Sequence, residues 1–150
     1  MKIEIVYPGR IKNSFAKDGF EEYIRRCNRF HKVNVFSFPS RSSEREKTIK
    51  EESKKLMKYL ANKEYVLLDV NGMEKTTKEF AEMVSEHLDR GNDLVFVVGG
   101  VFGVSEEVKS GAVLKLSLSK LTFTHSLSLL ILAEQLYRTM KILSGQPYDH

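Results

Sequence analysis

Gly99-Gly100-Val101-Phe102-Gly103-Val104-Ser105 follows the apolar run Leu94-Val95-Phe96-Val97-Val98. Glycines directly after a strand let the backbone turn sharply and approach a ligand closely. In open parallel sheets, ligands bind beyond the carboxyl ends of the strands. A tight turn without a ligand is the competing account of the same residues. A dinucleotide site would want G-x-G-x-x-G and an acidic residue ~20 positions further on for the ribose. Here the spacing is G-G-x-x-G, and Lys120 stands near the acidic position. No Gly-Lys-Ser or Gly-Lys-Thr completes the loop, so a P-loop is excluded.

A second candidate is Leu116-Ser117-Leu118-Ser119-Lys120-Leu121-Thr122-Phe123-Thr124-His125, in which small hydroxyl residues alternate with apolar ones. Such a segment can offer backbone N–H and C=O groups to a purine edge while apolar side chains pack on the ring. It also reads as a plain strand-to-helix connection capped by Thr124 or Ser126. The third candidate is Ala133-Glu134-Gln135-Leu136-Tyr137-Arg138, preceded by the nearly all-apolar Leu127 to Leu132. Such a helix is buried on most faces, within one fold or against a partner chain. Glu134 and Arg138 are four apart and can pair. Charges on a buried helix are costly unless paired, so the pair is either a structural salt bridge or the mark of a site or interface. His125 is the one histidine beside a candidate site, as a cap, a packing residue or a catalytic group; His31, His87 and His150 read as surface residues. No Cys/His cluster has zinc spacing, Glu86-His87 lacks H-E-x-x-H, and no G-x-S-x-G elbow appears, so no metal is expected.

These segments need elements to hold them. Ile3, Ile5 and Tyr7 alternate with Glu4 and Val6, as in a strand ended by Pro8-Gly9. Asp18 and Glu21 have capping-box spacing, with Phe20, Ile24 and Cys27 at helical spacing after them. Val33 to Phe38 reads as a second strand. Ser43 and Glu46 suggest another capping box, opening a solvent-facing helix within Ser40 to Asn62 behind a Ser/Arg loop. Tyr65 to Val70 is a strand that stops at Asn71-Gly72. Thr76 and Glu79 form a third box, before a helix carrying Phe80, Val84 and Leu88 and ending near Gly91. Leu94 to Val98 suits a strand covered on both faces. A short helix is expected from Ser105, a fifth strand over Leu114 to Leu118, and a last helix from about Ser126 to Leu143. Alternating strands and helices predict an α/β fold: a mainly parallel sheet with helices on both faces, in a single domain over residues 1–150.

The whole chain sets wide bounds. Its 150 residues suit one domain, and 41% hydrophobic with 29% charged residues is an ordinary globular composition. A formal net charge of +4 permits contact with nucleic acid without demanding it. No run approaches the ~18 apolar residues of a membrane span, the N-terminus is too short and charged for a signal peptide, and Cys27 stands alone. Together these predict a cytoplasmic protein without a membrane partner.

At this point a resemblance carries more than any single motif. Val97-Val98-Gly99-Gly100-x-x-Gly103-Val104-Ser105 looks like "IGGPEGLS". Leu116 to Phe123 looks like "WSLSxLTL", Ala133 to Arg138 like "AEQLYRA", and Pro147-Tyr148 like a terminal "PYH". Gly19 to Arg26 and Leu68 to Gly72 match as well. In this order and spacing the chain resembles the RlmH family of SPOUT methyltransferases over essentially its whole length. The resemblance implies a trefoil-knotted SPOUT fold, a homodimer, and S-adenosylmethionine (SAM) bound in the knot. It implies cofactor contacts from Leu68, Gly100, Ser119, Lys120, Leu121, Thr122, Phe123 and Thr124. The implied substrate is a pseudouridine of 23S rRNA, methylated at N3 in the assembled ribosome. On that basis Arg138 would stabilise the developing anion or grip a phosphate, Glu134 would orient Arg138, Tyr148 would stack on or bond to the base, and His125 is a candidate base. Val101-Phe102 replaces the usual Pro-Glu, Thr124 and Ser126 replace prolines around the histidine, and the chain ends Tyr148-Asp149-His150 where Tyr-His-Arg is usual. Two rival expectations are a non-catalytic ribosome-binding protein that kept the fold, favoured by the altered tail, and a Rossmann-type oxidoreductase, disfavoured by the glycine spacing.

Overall fold

A computed structural model describes residues 2–41 and 43–146. Ten elements alternate along the chain: β1 (Ile3–Pro8), α1 (Ser14–Cys27), β2 (Val33–Phe38), α2 (Arg45–Tyr59), β3 (Tyr65–Glu74), α3 (Thr77–Asp89), β4 (Leu94–Val97), α4 (Glu106–Gly111), β5 (Leu114–Ser117) and α5 (His125–Leu143). The five strands form one parallel sheet in the order β2-β1-β4-β3-β5. β4, apolar at every position, is buried throughout, because it lies between β1 and β3 with helices on both faces.

Successive residues of the central strands feed opposite layers. Ile3, Ile5, Val66, Leu94 and Phe96 pack with Ala16, Phe20 and Cys27 of α1, Phe80 and Val84 of α3, and Leu129, Leu132, Ala133 and Leu136 of α5. Val6, Leu67, Val95 and Val97 pack with Leu56 and Leu60 on and after α2 and with Val108 of α4. Burial in the first layer pushes the Cys27 thiol up to about 12, so it stays a protonated, unreactive packing group at neutral pH.

Three boundaries depart from the sequence expectation. α1 starts at Ser14 with Asn13 as an N-cap that makes no side-chain bond, so Asp18 and Glu21 lie inside the helix. The buried Ala16 extends the apolar face one turn earlier than Phe20, and packing against α5 decides the start. The Ser43/Glu46 box does not form: Glu44 is the N-cap, and Ser43 donates its N–H to Thr48 Oγ1 at 3.2 Å. α2 is also less solvated than expected, since Thr48, Glu52, Ser53 and Leu56 are buried on its inner face. The Thr76/Glu79 box does form, with both reciprocal bonds at 3.1 Å.

The third departure lies at Asn71-Gly72. β3 does not stop there; it bulges after Leu68 and pairs with β5 again, Met73 beside Leu116 and Glu74 beside Ser117. A Cβ on Gly72 would lie 2.6 Å from the Lys115 carbonyl carbon and oxygen. Glycine is needed there for room between two backbones, which is its other use in a strand.

Candidate active site

The carboxyl ends of β3, β4 and β5 meet in a cleft of about 690 Å³. Its walls are Leu68 to Asn71 at the bulge of β3, Gly99, Gly100, Val101 and Gly103 after β4, and Leu116 of β5 with Leu118, Ser119 and Leu121 to Thr124 after it. The size is that of a small-molecule site. Val101 and Leu121 are 76% and 74% exposed, and Val70 and Phe123 are also exposed, so the mouth carries bare apolar surface. Arg10, Lys12 and Lys109 add positive charge at the edge, and Asp69 adds one acidic group.

The loop leaving β5 returns across the end of β3 to the end of β4. His125, the first residue of α5, donates Nδ1–H to the Gly99 carbonyl at 2.8 Å. A carbonyl only accepts, so this bond fixes the neutral tautomer with a lone pair on Nε2. Nε2 is buried without a hydrogen-bond partner among the described residues. Burial holds the imidazole below its usual range, partly offset by the Gly99 bond. Thr124 caps α5, its hydroxyl accepting from Leu127 N–H at 3.3 Å. The proline that this threonine replaces would offer no hydroxyl for a cap.

Of the predicted cofactor residues, Leu68, Gly100, Ser119, Leu121, Thr122, Phe123 and Thr124 all line this cleft. Lys120 does not send its side chain there. It is 87% exposed and pairs with Glu74 at 3.7 Å, which leaves only its backbone for the site. Glu134 and Arg138 do pair, Nη2 to Oε1 at 2.7 Å and Nε to the same oxygen at 3.0 Å. They are not on this cleft. At 1.5 Å per residue, Arg138 lies about 20 Å along α5 from His125. Tyr148 lies outside the described residues. His87 is not a free surface residue, since its Nδ1 bonds the Met83 carbonyl at 2.9 Å.

Sequence reasoning passed over Arg10, Lys12 and Asn13. Their signal was available: they follow β1, and in a parallel sheet every strand's carboxyl end points toward the ligand. It also passed over α2, which holds the glycine loop from outside. Ser53 Oγ accepts from Ser105 N–H at 3.0 Å, and the Arg45 guanidinium lies 6.0 Å from the Phe102 ring centre.

A parallel α/β sheet whose ligand cleft is closed by a returning C-terminal loop defines a class of small-molecule-binding α/β proteins. Within that class the assignment is specific. Residues 1–150 match the family described as "Predicted SPOUT methyltransferase", and the chain belongs to that family. It is 37% identical to the ribosomal RNA large subunit methyltransferase H of Dictyoglomus thermophilum, with all of both chains covered. It is 38% identical to the protein of the same name from Thermodesulfovibrio yellowstonii, over 99% of each. Among solved structures, the "A. aeolicus TrmH/SpoU tRNA modifying enzyme" has a TM-score of 0.51 at 16% identity, covering 97% of this chain and 78% of that one. A crystal structure titled only as a hypothetical protein has a TM-score of 0.54 at 15% identity, covering 95% and 88%. These two likenesses concern the fold. The expectation of an oxidoreductase falls away with the family assignment. No helix among the described residues is long and apolar enough to cross a membrane, and the described residues contain no cluster of His, Cys, Asp and Glu able to hold a metal ion.

Proposed function

We propose that the chain is a SAM-dependent methyltransferase that modifies N3 of a pseudouridine in the large-subunit rRNA of the assembled ribosome. The observation that carries this is the cleft itself: glycine backbone on one wall, exposed Leu121 and Phe123 on another, and His125 among the lining residues with a buried Nε2 that has no partner among the described residues. Apolar side chains beside polar backbone suit an adenosine moiety. Leu68, Gly100, Ser119, Leu121, Thr122, Phe123 and Thr124 would hold the cofactor, with Lys120 contributing backbone only. The cofactor supplies a methyl group on a sulfonium, open to direct displacement by a nucleophile.

The protein's share of that chemistry is alignment and proton control. His125 is neutral near pH 7 and fixed by Gly99, so Nε2 can accept a hydrogen bond or a proton. N3 of the base loses a proton as it gains the methyl. Arg138, oriented by Glu134, would stabilise the charge that develops on the base. The pair lies far from its own chain's cleft, so we assign it to the cleft of a second copy in a homodimer. α5 supports this: its buried face is Ser126, Leu129, Leu132, Ala133, Leu136, Thr139 and Met140, while Leu127, Leu130 and Ile131 remain half-buried and apolar. The trefoil knot is assigned with the family, and the path from β5 across β3 to Gly99 suits it. Cytoplasmic location follows from a ribosomal substrate.

The test is transfer of labelled methyl from SAM to ribosomes from cells lacking the protein, with naked rRNA in parallel. Label on a large-subunit pseudouridine of whole ribosomes is expected. No label on either, with SAM bound, would overturn the substrate; equal labelling of naked rRNA would overturn recognition in the assembled particle.

A further inference from the structure

Among the described residues, Glu52 is the only acidic or basic side chain that is buried, at 6% exposure. It stands on the inner face of α2, behind the glycine wall of the cleft. A Cβ on Gly100 would lie 2.6 Å from Glu52 Oε1, so the carboxyl occupies the place of the side chain that Gly100 lacks. Oε2 accepts from the Ser40 hydroxyl, whereas Oε1 has no partner among the described residues. Among the described residues no cation forms an ion pair with it. Lys55, one turn along, gives its Nζ to the Pro39 carbonyl at 3.1 Å instead. An uncompensated buried carboxylate is costly. Burial pushes this carboxyl toward its neutral form, while the Ser40 bond and the charge of Lys55 pull it back toward the anion. A positive charge arriving across Gly100 would act in the same direction as Lys55, in a medium of low effective dielectric.

We infer that Glu52 is the counter-charge of the cofactor site: through the glycine wall, its carboxylate favours a cationic sulfonium over the neutral thioether that methyl transfer leaves behind. It touches neither the cofactor nor the base, and acts as a positioning residue that biases the site toward loading and against retention of product. This inference rests on the cleft being the SAM site. It explains why a carboxylate without an ion-pair partner among the described residues is held against a wall residue that has no side chain.

Titration calorimetry on the whole chain tests it with three ligands: SAM, its amine analogue sinefungin, which keeps a positive charge, and S-adenosylhomocysteine, which lacks the sulfonium charge. Glu52→Gln keeps the shape and an acceptor for Ser40. It is expected to weaken SAM and sinefungin about tenfold, equivalent to ~1.4 kcal/mol, and to leave S-adenosylhomocysteine within twofold. Lys55→Gln, at an exposed position, removes a charge that holds Glu52 ionised, and is expected to lower the preference for SAM over S-adenosylhomocysteine two- to threefold. Equal losses for all three ligands in Glu52→Gln would overturn the inference and leave only a shape role. An unchanged preference in Lys55→Gln would overturn it as well. A wild-type chain that binds none of the three would instead overturn the cofactor assignment of the cleft.

Discussion

Gly72→Ala offers a sharp test of how the cleft is held open. The new methyl would sit 2.6 Å from the Lys115 carbonyl carbon and oxygen and 2.9 Å from the Leu116 nitrogen. All three are backbone atoms of β5, so no side-chain rotation relieves the clash. Ordinary contact needs about 3.5–4.0 Å between such atoms, so the strands must part by roughly 1 Å. That stretches the ladder bonds around Leu116 beyond their normal range of about 2.7–3.2 Å. One or two weakened bonds at ~0.5–1.5 kcal/mol each, added to overpacking strain of ~1–3 kcal/mol, give a loss of about 1.5–6 kcal/mol. At about 2–4 °C per kcal/mol for a chain of this length, the middle of that range lowers Tm by roughly 7–15 °C. The opening also falls where Leu68 and Leu116 line the cleft, so SAM should bind at least tenfold more weakly. Thermal melting and calorimetric titration read the two effects. A variant that melts within 1 °C of wild type and binds SAM normally would show that β3 and β5 are not packed as described.

Thr76→Ala removes a formed capping box far from the cleft; it should cost about 1 kcal/mol and lower Tm while leaving SAM affinity unchanged, and a change in affinity would contradict the separation. His125 has a folded pKa below its unfolded value, so the unfolded chain takes up the proton first, and its contribution to stability is lost as pH falls from about 6.5 through the lower folded value; the fall in Tm between pH 7.5 and 5 should be smaller in His125→Asn than in wild type, and parallel curves would refute it. Arg138→Ala should lose turnover by at least a hundredfold while keeping SAM affinity within twofold in calorimetry. Mixing Arg138→Ala chains with Thr122→Trp chains, in which the exposed cleft wall is blocked, should restore methyl transfer, because a mixed dimer holds one cleft with intact walls facing an intact Arg138; no restoration on subunit exchange would place Arg138 outside the partner's site.

Much of the fold was legible because local signals agreed with the tertiary outcome. The apolar run at β4 fitted a doubly covered strand, which the structure has, and Thr76 with Glu79 marked a helix start that the structure keeps. The failures share a cause: spacing cannot see across the sheet. Asp18/Glu21 and Ser43/Glu46 have the box pattern, but packing of Ala16 and burial of Thr48 set those starts. Gly72 looked like a stop because a sequence shows a missing side chain without showing the Lys115 backbone that needs the space. In the cleft, the glycine loop was legible as a strand end that could meet a ligand, whereas the segment from Ser119 to Thr124 read as a plain strand-to-helix connection until the family resemblance singled it out. Glu52 was not, because a glutamate on a charged helix reads as solvated until Gly100 is placed against it. The separation of Arg138 from the cleft was equally hidden, since a helix start and a pair 13 residues along it look close on a line of letters.

The strand order also sets a timetable for synthesis. β1 pairs with β4 across 91 positions, Ile3 beside Leu94, and β3 waits for β4 and β5 on its two sides. A nascent chain that has emerged only as far as α2 can pair β1 with β2 and nothing else, leaving one edge of β1 open. Such long-range parallel pairing is slow and exposes unpaired edges while it waits. α5 is the helix that covers α1 and α3, so the first-made layer stays uncovered until α5 has emerged. Truncation within α5 should therefore yield an aggregating chain rather than a smaller folded one.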